Sequence, residues 1–232
     1  MKILITGGTS GIGKAIVKDL ANDHDVAFIG RNEDRGTALA EETGAHFLKA
    51  DLTDAQECAF VVDKFYGLYG QCDVAILNAG LWTEGAIEEA DADEINKVFE
   101  INTISPVVFT SEIVKRMKKS IESGEQKSAR ILFTNSQAGL APKALRSVYN
   151  ASKWAITGFA RSLSLELSPD NIGVTNLCPG YVGTELFENA GYPRDTDGSM
   201  APDNIASAVR FIVELPAEVT VNEFGIKPTL YS

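Results

Sequence analysis

A tyrosine and a lysine lie four residues apart in the segment YNASK, residues 149–153. On a helix this spacing places the phenol of Tyr149 beside the ammonium of Lys153. Bringing a phenol from its usual pKa of about 10 to near neutrality requires roughly 4 kcal/mol. One exposed ion pair contributes only about 0–1 kcal/mol. The pair therefore indicates proton transfer only where a further positive charge joins it in a pocket shielded from water, and it is otherwise a common surface pair.

The composition indicates one globular domain over residues 1–232, with 44% hydrophobic and 23% charged residues. The formal net charge of −11 makes nucleic acid and anionic membranes poor partners. No apolar run is long enough to span a bilayer. The three cysteines form no CxxC pair, so we expect free thiols, a cytoplasmic location and no metal site.

Short apolar runs alternate with helical patterns along the chain. The predicted strands are residues 2–6, 25–30, 46–50, 73–78, 129–135, 172–178 and 222–228. The predicted helices are residues 12–20, 33–42, 55–69, 92–121, 148–167 and 202–215. Pro106 falls inside the fourth helix and is expected to bend it. Strands without polar alternation, joined by helices, predict an α/β fold: a doubly wound, Rossmann-type parallel sheet with helices on both faces.

A glycine-rich segment, TGGTSGIG (6–13), joins the first predicted strand to the first helix. Such a turn lets a pyrophosphate approach backbone N–H groups and the positive end of the helix dipole. A plain strand–helix connection is the alternative. The position at the start of an α/β pattern favours nucleotide binding.

This turn and four later motifs together resemble the short-chain dehydrogenase/reductase superfamily over essentially the whole chain. The later motifs are LNAG (77–80), NSQAG (135–139), YNASK (149–153) and CPGYVGTEL (178–186). The resemblance implies a seven-stranded sheet, a nicotinamide dinucleotide cofactor and hydride transfer to or from a small carbonyl or alcohol substrate. It also implies a homodimer or homotetramer assembled through the helices at 92–121 and 148–167.

The resemblance implies that the cofactor contacts the glycine-rich turn, the ends of several strands, and Tyr149 and Lys153. These residues are Gly7, Thr9, Ser10, Gly11, Ile12, Gly13, Arg31, Asn32, Asp51, Leu52, Asn78, Ala79, Gly80, Tyr149, Lys153, Pro179, Gly180, Val182 and Thr184.

The end of the second strand, FIGRN (28–32), bears on which dinucleotide binds. NAD sites of this architecture usually place a carboxylate there. Here the position is Gly30, and Arg31 follows, whose guanidinium suits a 2′-phosphate. This favours NADP(H). If Arg31 is only a solvated turn residue, NAD(H) remains possible, and Ser10 stands where relatives often carry a second basic residue.

Two further catalytic residues follow from the resemblance. Ser136 would donate to the substrate oxygen, and Asn102, in INTISP (101–106), would hold a water that links Lys153 to solvent. Tyr149 would then act as the general acid/base, with Lys153 lowering its pKa. The structural alternatives are a turn serine and a helix-packing asparagine.

Residues 185–201 are expected to form a flap over the substrate, with glycines permitting movement. Its short length favours a small to medium substrate. Candidate substrate contacts are Trp82, Leu140, Arg146 and Phe187. Trp82 and Leu140 serve equally well as packing residues, and Arg146 is either an anchor for an acidic substrate or part of a solvated loop.

Two other functions fit parts of the pattern. One is a non-catalytic dinucleotide-binding sensor, which the presence of Ser136, Tyr149 and Lys153 disfavours. The other is a 3-oxoacyl carrier-protein reductase. That enzyme needs a basic docking patch for an acidic carrier, which the net charge of −11 disfavours.

Overall fold

The computed structural model describes residues 1–229, in which seven strands form one sheet of order β3-β2-β1-β4-β5-β6-β7. The strands are Lys2–Thr6 (β1), Asp25–Gly30 (β2), His46–Lys49 (β3), Val74–Leu77 (β4), Ala129–Thr134 (β5), Ile172–Pro179 (β6) and Glu223–Ile226 (β7). Every neighbouring pair runs parallel. The order reverses between β1 and β4, so the predicted doubly wound parallel sheet is confirmed, and this switch point is where such folds bind ligands.

Eight α-helices cover the sheet in the described part of the chain. They are Gly11–Leu20 (α1), Glu33–Thr43 (α2), Ala55–Tyr69 (α3), Ala92–Phe99 (α4), Ser105–Glu122 (α5), Ser147–Leu167 (α6), Leu186–Asn189 (α7) and Pro202–Val213 (α8). Helix α1 packs against α8 and α2, while α3 packs against α5, and α4 against α6. Successive residues of β1 point to opposite faces, Leu4 into one core and Ile3 and Ile5 into the other. Both faces are thus buried, which explains the unbroken apolar strands.

The helix predicted over 92–121 is interrupted, and the interruption is not at the proline. Helix α4 ends at Phe99, one wider π-helical turn covers Glu100–Ile104, and α5 begins at Ser105. Pro106 lies in the first turn of α5, directly after the π turn, and because Ile104 and Ser105 are already helical its missing N–H falls inside a continuous helical stretch. The π turn carries Asn102, which is only 1% exposed.

The segment after β6, predicted to be irregular, contains the short helix α7 and is closed at its base. Val182 and Met200 form an isolated parallel bridge, and Gly183 N donates to Met200 O at 2.9 Å. The residues between them therefore form a loop whose two ends are held together. Within residues 1–229, no helix has the length and apolar character needed to cross a membrane.

Candidate active site

In the glycine-rich turn, the backbone at Gly7 packs directly against the backbone that follows β4. Gly7 has φ of 65°, and a Cβ there would lie 2.8 Å from Ala79 Cα. A Cβ on Gly13 would overlap Gly7 O and lie 2.6 Å from Asn78 Nδ2. Asn78 Nδ2 in turn donates to Gly7 O at 3.1 Å. The turn is thus fixed from β4, and glycine is required because no side chain fits.

The first turn of α1 leaves its backbone donors open to an anion. Ser10 precedes the helix, but its side chain makes no capping hydrogen bond, and no acidic residue occupies the first turn. The first N–H groups of a helix have no partner within the helix itself. A phosphate is therefore a suitable ligand for this end of α1.

A groove with a volume of about 490 Å³ runs from this turn to the catalytic pair. Fourteen of the predicted cofactor residues line it: Gly7, Thr9, Ser10, Gly11, Ile12, Arg31, Asp51, Leu52, Asn78, Ala79, Gly80, Tyr149, Lys153 and Thr184. The groove lies at the sheet's switch point, and most of the predicted cofactor residues share this one surface.

Five predicted cofactor residues lie outside that lining. Gly13 is packed beneath the turn. Asn32 accepts from Arg35 N at 2.9 Å and so caps α2. Val182 is buried in the bridge to Met200. The others are Pro179 and Gly180, at the end of β6, where Gly180 N donates to Ile226 O at 2.7 Å. Their side chains or amides serve the protein's own structure.

The end of β2 has no room for a carboxylate. A Cβ on Gly30 would overlap the methyl group of Thr9. Arg31 lines the groove, with its Nη1 3.7 Å from Asp51 Oδ2. Burial raises the pKa of Asp51, but hydrogen bonds from Thr53 and the charge of Arg31 outweigh it and lower the pKa overall. The adenosine end of the groove thus offers one guanidinium and one ionised carboxylate.

Tyr149 and Lys153 stand one turn apart on α6, with Lys153 Nζ 5.7 Å from the centre of the Tyr149 ring. Both are buried, being 4% and 6% exposed. Burial raises the pKa of Tyr149 to about 12, against the opposing effects of a hydrogen bond with Ser136 and the charge of Arg146. Burial also lowers the pKa of Lys153 to about 8. The chain alone therefore does not lower the tyrosine pKa, as expected for a Tyr–Lys pair that no further positive charge has joined.

Ser136 follows β5 and faces Tyr149. Its side chain accepts from Ala138 N at 3.1 Å and acts to lower the pKa of Tyr149. Asn135, beside it, is 6% exposed and donates to Lys153 O, Thr157 Oγ1 and Asn176 Oδ1 at 3.2, 2.9 and 3.0 Å. This asparagine ties β5, β6 and α6 together beneath the catalytic pair, and the sequence analysis did not single it out.

The Asn102 side chain is fully engaged by protein groups. Its Oδ1 accepts from Leu81 N at 2.7 Å, and its Nδ2 donates to Leu81 O at 2.9 Å and Ser152 Oγ at 3.1 Å. Both amide hydrogens are thus used. The side chain braces the backbone that follows Gly80, so a relay water here would have to donate to a carbonyl oxygen of Asn102.

An aromatic cluster covers Tyr149. The ring centre of Trp82 lies 4.4 Å from that of Tyr149 and 4.9 Å from that of Phe187. Trp82 is 7% and Phe187 9% exposed. Leu140, the other predicted pocket wall, lies outside this cluster. The cluster brings the segment 185–201 directly over the phenol.

A charged group beside this cluster was only partly foreseen. Glu84 is bound by Arg194 Nη2 and lies 3.5 Å from Arg146 Nε. Only Arg146 was a candidate from the sequence. Glu84 and Arg194 are separated by 110 positions, and no local pattern marks them.

A phosphate-accepting turn at the switch point, connected by one groove to a buried tyrosine and lysine, defines a dinucleotide-binding oxidoreductase fold. The family model described as short chain dehydrogenase matches residues 1–194. The chain belongs to the short-chain dehydrogenase family and is therefore an oxidoreductase, as the resemblance implied.

Individual relatives align with nearly the whole length of the chain. It is 34% identical to the short-chain type dehydrogenase/reductase y4eK of Sinorhizobium fredii, covering 97% of this chain and 90% of that protein. The alcohol dehydrogenase of the archaeon Thermococcus sibiricus, solved with 5-hydroxy-NADP, matches with a TM-score of 0.87 and 26% identity over 100% of this chain and 98% of that one. BdcA, solved with NADPH, matches with a TM-score of 0.82 and 30% identity over 97% and 91% of the two chains.

Proposed function

We propose that this protein transfers hydride reversibly between NADP(H) and a small carbonyl or secondary alcohol, with Tyr149 as the general acid/base. The observation that carries the proposal is that Tyr149 and Lys153 line the same groove as the glycine-rich turn and Arg31. A ligand whose phosphate binds at the glycine-rich turn can therefore extend along the groove to the phenol of Tyr149.

When bound, a nicotinamide dinucleotide would supply or accept the hydride, and in its oxidised form it would add a positive charge to the groove that Tyr149 and Lys153 line. The residues at the turn fit its pyrophosphate, because they present backbone donors where any Cβ would collide. Arg31, with no carboxylate at Gly30, favours the phosphorylated form; NAD(H) is the alternative. Lys153 holds the ribose end of the groove.

In the reducing direction the carbonyl carbon gains the hydride and its oxygen gains a proton from Tyr149, leaving an alcohol and the oxidised cofactor. A pKa of about 12 keeps the phenol protonated at neutral pH, which suits proton donation. Ser136 donates to the oxygen as it gains negative charge. In the oxidising direction the phenol must lose its proton first, which the burial of Tyr149 opposes and the positive charges of Lys153 and the oxidised ring favour.

The segment 185–201 acts as the flap. Its Phe187 packs on Trp82 and excludes water from the phenol, and Gly191 and Gly198 adopt positive φ values of 83° and 75°. The Tyr149 ring is so closely covered that the flap must move for a substrate to enter, which suits a small molecule. We further expect a cytoplasmic homodimer or homotetramer.

The test is consumption of NADPH and NADH with a panel of small aldehydes, ketones, oxo acids and a 3-oxoacyl thioester. We expect oxidation of NADPH by at least one carbonyl, and Tyr149→Phe to slow it on the order of 100-fold or more while NADPH still binds. Tyr66→Phe serves as the control, because Tyr66 lies on α3, away from the groove. Tight NADPH binding without turnover of any carbonyl would instead establish the sensor function.

A further inference from the structure

Beside the aromatic cluster lie Glu84, Arg146 and Arg194, which we call the arginine cluster. Their side chains are mostly buried, being 24%, 19% and 24% exposed. Arg194 belongs to the flap, Arg146 precedes α6, and Glu84 follows β4. Three distant parts of the chain thus bring their charges to one place.

The arginine cluster has more positive charge than negative. In the described part of the chain, Glu84 is the only carboxylate in ion-pair contact with either guanidinium, and both use the same oxygen, Oε2. Within residues 1–229 the Arg146 guanidinium makes no hydrogen bond. A guanidinium presents five N–H donors, and leaving a mostly buried one without acceptors is unfavourable. The arginine cluster can therefore accept a further anion.

Its position relates that anion to the reacting group. The guanidinium carbons of Arg146 and Arg194 lie 4.9 and 5.1 Å from the ring centre of Trp82, whose ring packs against Tyr149 at an angle of 51°. Arg146 is three residues before Tyr149, and its charge acts on the phenol. Trp82 Nε1 is buried and has no hydrogen-bond partner among the described residues. The indole ring of Trp82 thus lies between the two guanidinium groups and the phenol of Tyr149, and its Nε1–H is an unused hydrogen-bond donor.

We propose that the arginine cluster binds the carboxylate of the substrate, so that the reacting compounds are short-chain oxo acids and the corresponding hydroxy acids. The inference rests on the proposed function, since it assumes that the carbonyl reacts at Tyr149. A carboxylate accepts two parallel N–H bonds from a guanidinium. The substrate carboxylate takes the place of Glu84 at Arg194. When no substrate is bound, Glu84 holds the side chains of Arg146 and Arg194 in place. The carboxylate itself changes no bonds.

Binding at Arg194 also closes the flap. Arg194 stacks within 4.9 Å of the ring centre of Phe187, so a carboxylate that joins Arg194 to Arg146 ties the flap to α6. Phe187 then remains over the phenol and the reacting carbon. A neutral ketone of the same size makes no such connection.

Tryptophan fluorescence tests the binding site without turnover. The chain has two tryptophans, and Trp154→Phe leaves Trp82 as the only one. In this background, without added cofactor so that no hydride can be transferred, we expect 3-hydroxybutyrate to change the emission saturably and 3-hydroxybutyramide to leave it unchanged. Arg146→Gln and Arg194→Gln each weaken 3-hydroxybutyrate binding at least tenfold. Arg116→Gln, an exposed arginine paired with Asp63 between α3 and α5, leaves it unchanged.

Glu84→Gln gives the opposite result and rules out misfolding as the cause. Removing the competing carboxylate should tighten 3-hydroxybutyrate binding several-fold, which a damaged protein cannot do. Equal binding of the acid and the amide, or unchanged binding in both arginine variants, would overturn the carboxylate site.

Steady-state kinetics separates this inference from the proposed function. For acetoacetate against 2-pentanone we expect kcat/KM to favour the acid at least tenfold, and Arg194→Gln to remove that preference mainly through KM. If the neutral ketone is preferred and the arginine variants leave the ratio unchanged, the carboxylate site is wrong while hydride transfer stands. If 3-hydroxybutyrate binds through both arginines but no carbonyl is reduced, the carboxylate site stands and the proposed function fails.

Discussion

Arg31 Nη1 lies 3.7 Å from Asp51 Oδ2 at the adenosine end of the groove. Both side chains are exposed, at 60% and 44%, so a 2′-phosphate can approach the guanidinium and compete with Asp51. We expect Arg31→Ala to weaken NADPH binding about tenfold, or roughly 1.4 kcal/mol, and to leave NADH binding unchanged. Titration of both cofactors by fluorescence measures this, with Arg116→Ala as the control. Equal losses for the two cofactors would show that Arg31 does not select the phosphate.

The glycine-rich turn provides a test of close backbone packing. Gly13→Ala would force a methyl group into Gly7 O and Asn78, so we expect a loss of about 1–3 kcal/mol in the free energy of unfolding and weaker dinucleotide binding. Gly67, within α3, has open space around its Cβ position. Gly67→Ala should stabilise the protein by up to about 1 kcal/mol. Urea denaturation of both variants gives the comparison, and a neutral Gly13→Ala would contradict the packing.

The lowered pKa of Lys153 predicts that one contribution to the free energy of unfolding rises with pH. Burial lowers its pKa from 10.5 to about 8, so between these values the unfolded chain binds more protons than the folded one. The free energy of unfolding therefore gains a contribution that rises with pH across this window. The cost of burying the ammonium is fully present below about pH 8 and is gone above the unfolded pKa.

Lys153→Met removes this contribution. Urea denaturation at several pH values between about 8 and 10 should show a steeper rise for the native chain than for the variant. This range stays below the region where Tyr149, with its raised pKa, acts in the opposite direction. Parallel profiles would mean that Lys153 titrates normally.

Asn102 is expected to be a positioning residue. Asn102→Ala removes three hydrogen bonds and leaves both backbone groups of Leu81 unpaired, which should cost about 1–3 kcal/mol in the free energy of unfolding. NADPH binding should weaken as well, because Gly80 and Leu81 line the groove. Asn96→Ala, at an exposed asparagine on α4, should not lower the free energy of unfolding, because alanine is the better helix former. A stable variant that binds NADPH normally would disprove this positioning role.

Helix α6 exposes two large apolar residues, Trp154 at 46% and Leu165 at 80%. The predicted dimer or tetramer would bury them against another copy. We expect Leu165→Asp to shift the mass measured by light scattering toward the monomer. Leu68→Asp, at a 47% exposed position on α3, is the matched control. A monomeric native chain would contradict the predicted assembly.

The sequence predicts the sheet well because its determinants are local. Unbroken apolar strands and the turn of residues 6–13 identify the parallel topology and the switch point. The π turn at Glu100–Ile104 was missed because a helical hydrophobic pattern is shared by α-helix and π-helix alike. It carries Asn102, whose contacts with Leu81 and Ser152 only the folded chain brings together.

The site was predicted as a set of positions, but not as an electrostatic environment. Tyr149 and Lys153 are recognisable from their spacing, whereas the direction of their pKa values depends on burial by Trp82 and Phe187. Likewise Arg194 and Glu84 meet across 110 positions. Long-range contacts of this kind leave no periodic signal in a single sequence.

The bridge between Val182 and Met200 bears on how such a protein can change over evolutionary time. With both ends of the loop fixed to the edge of the fold, insertions between them add only a slowly growing closure entropy, about 0.6 kcal/mol for each doubling of length. The sheet, the glycine-rich turn and helix α6 lie outside this loop and would keep their structure. Substrate range can therefore diversify in this one loop while the hydride-transfer apparatus is inherited unchanged.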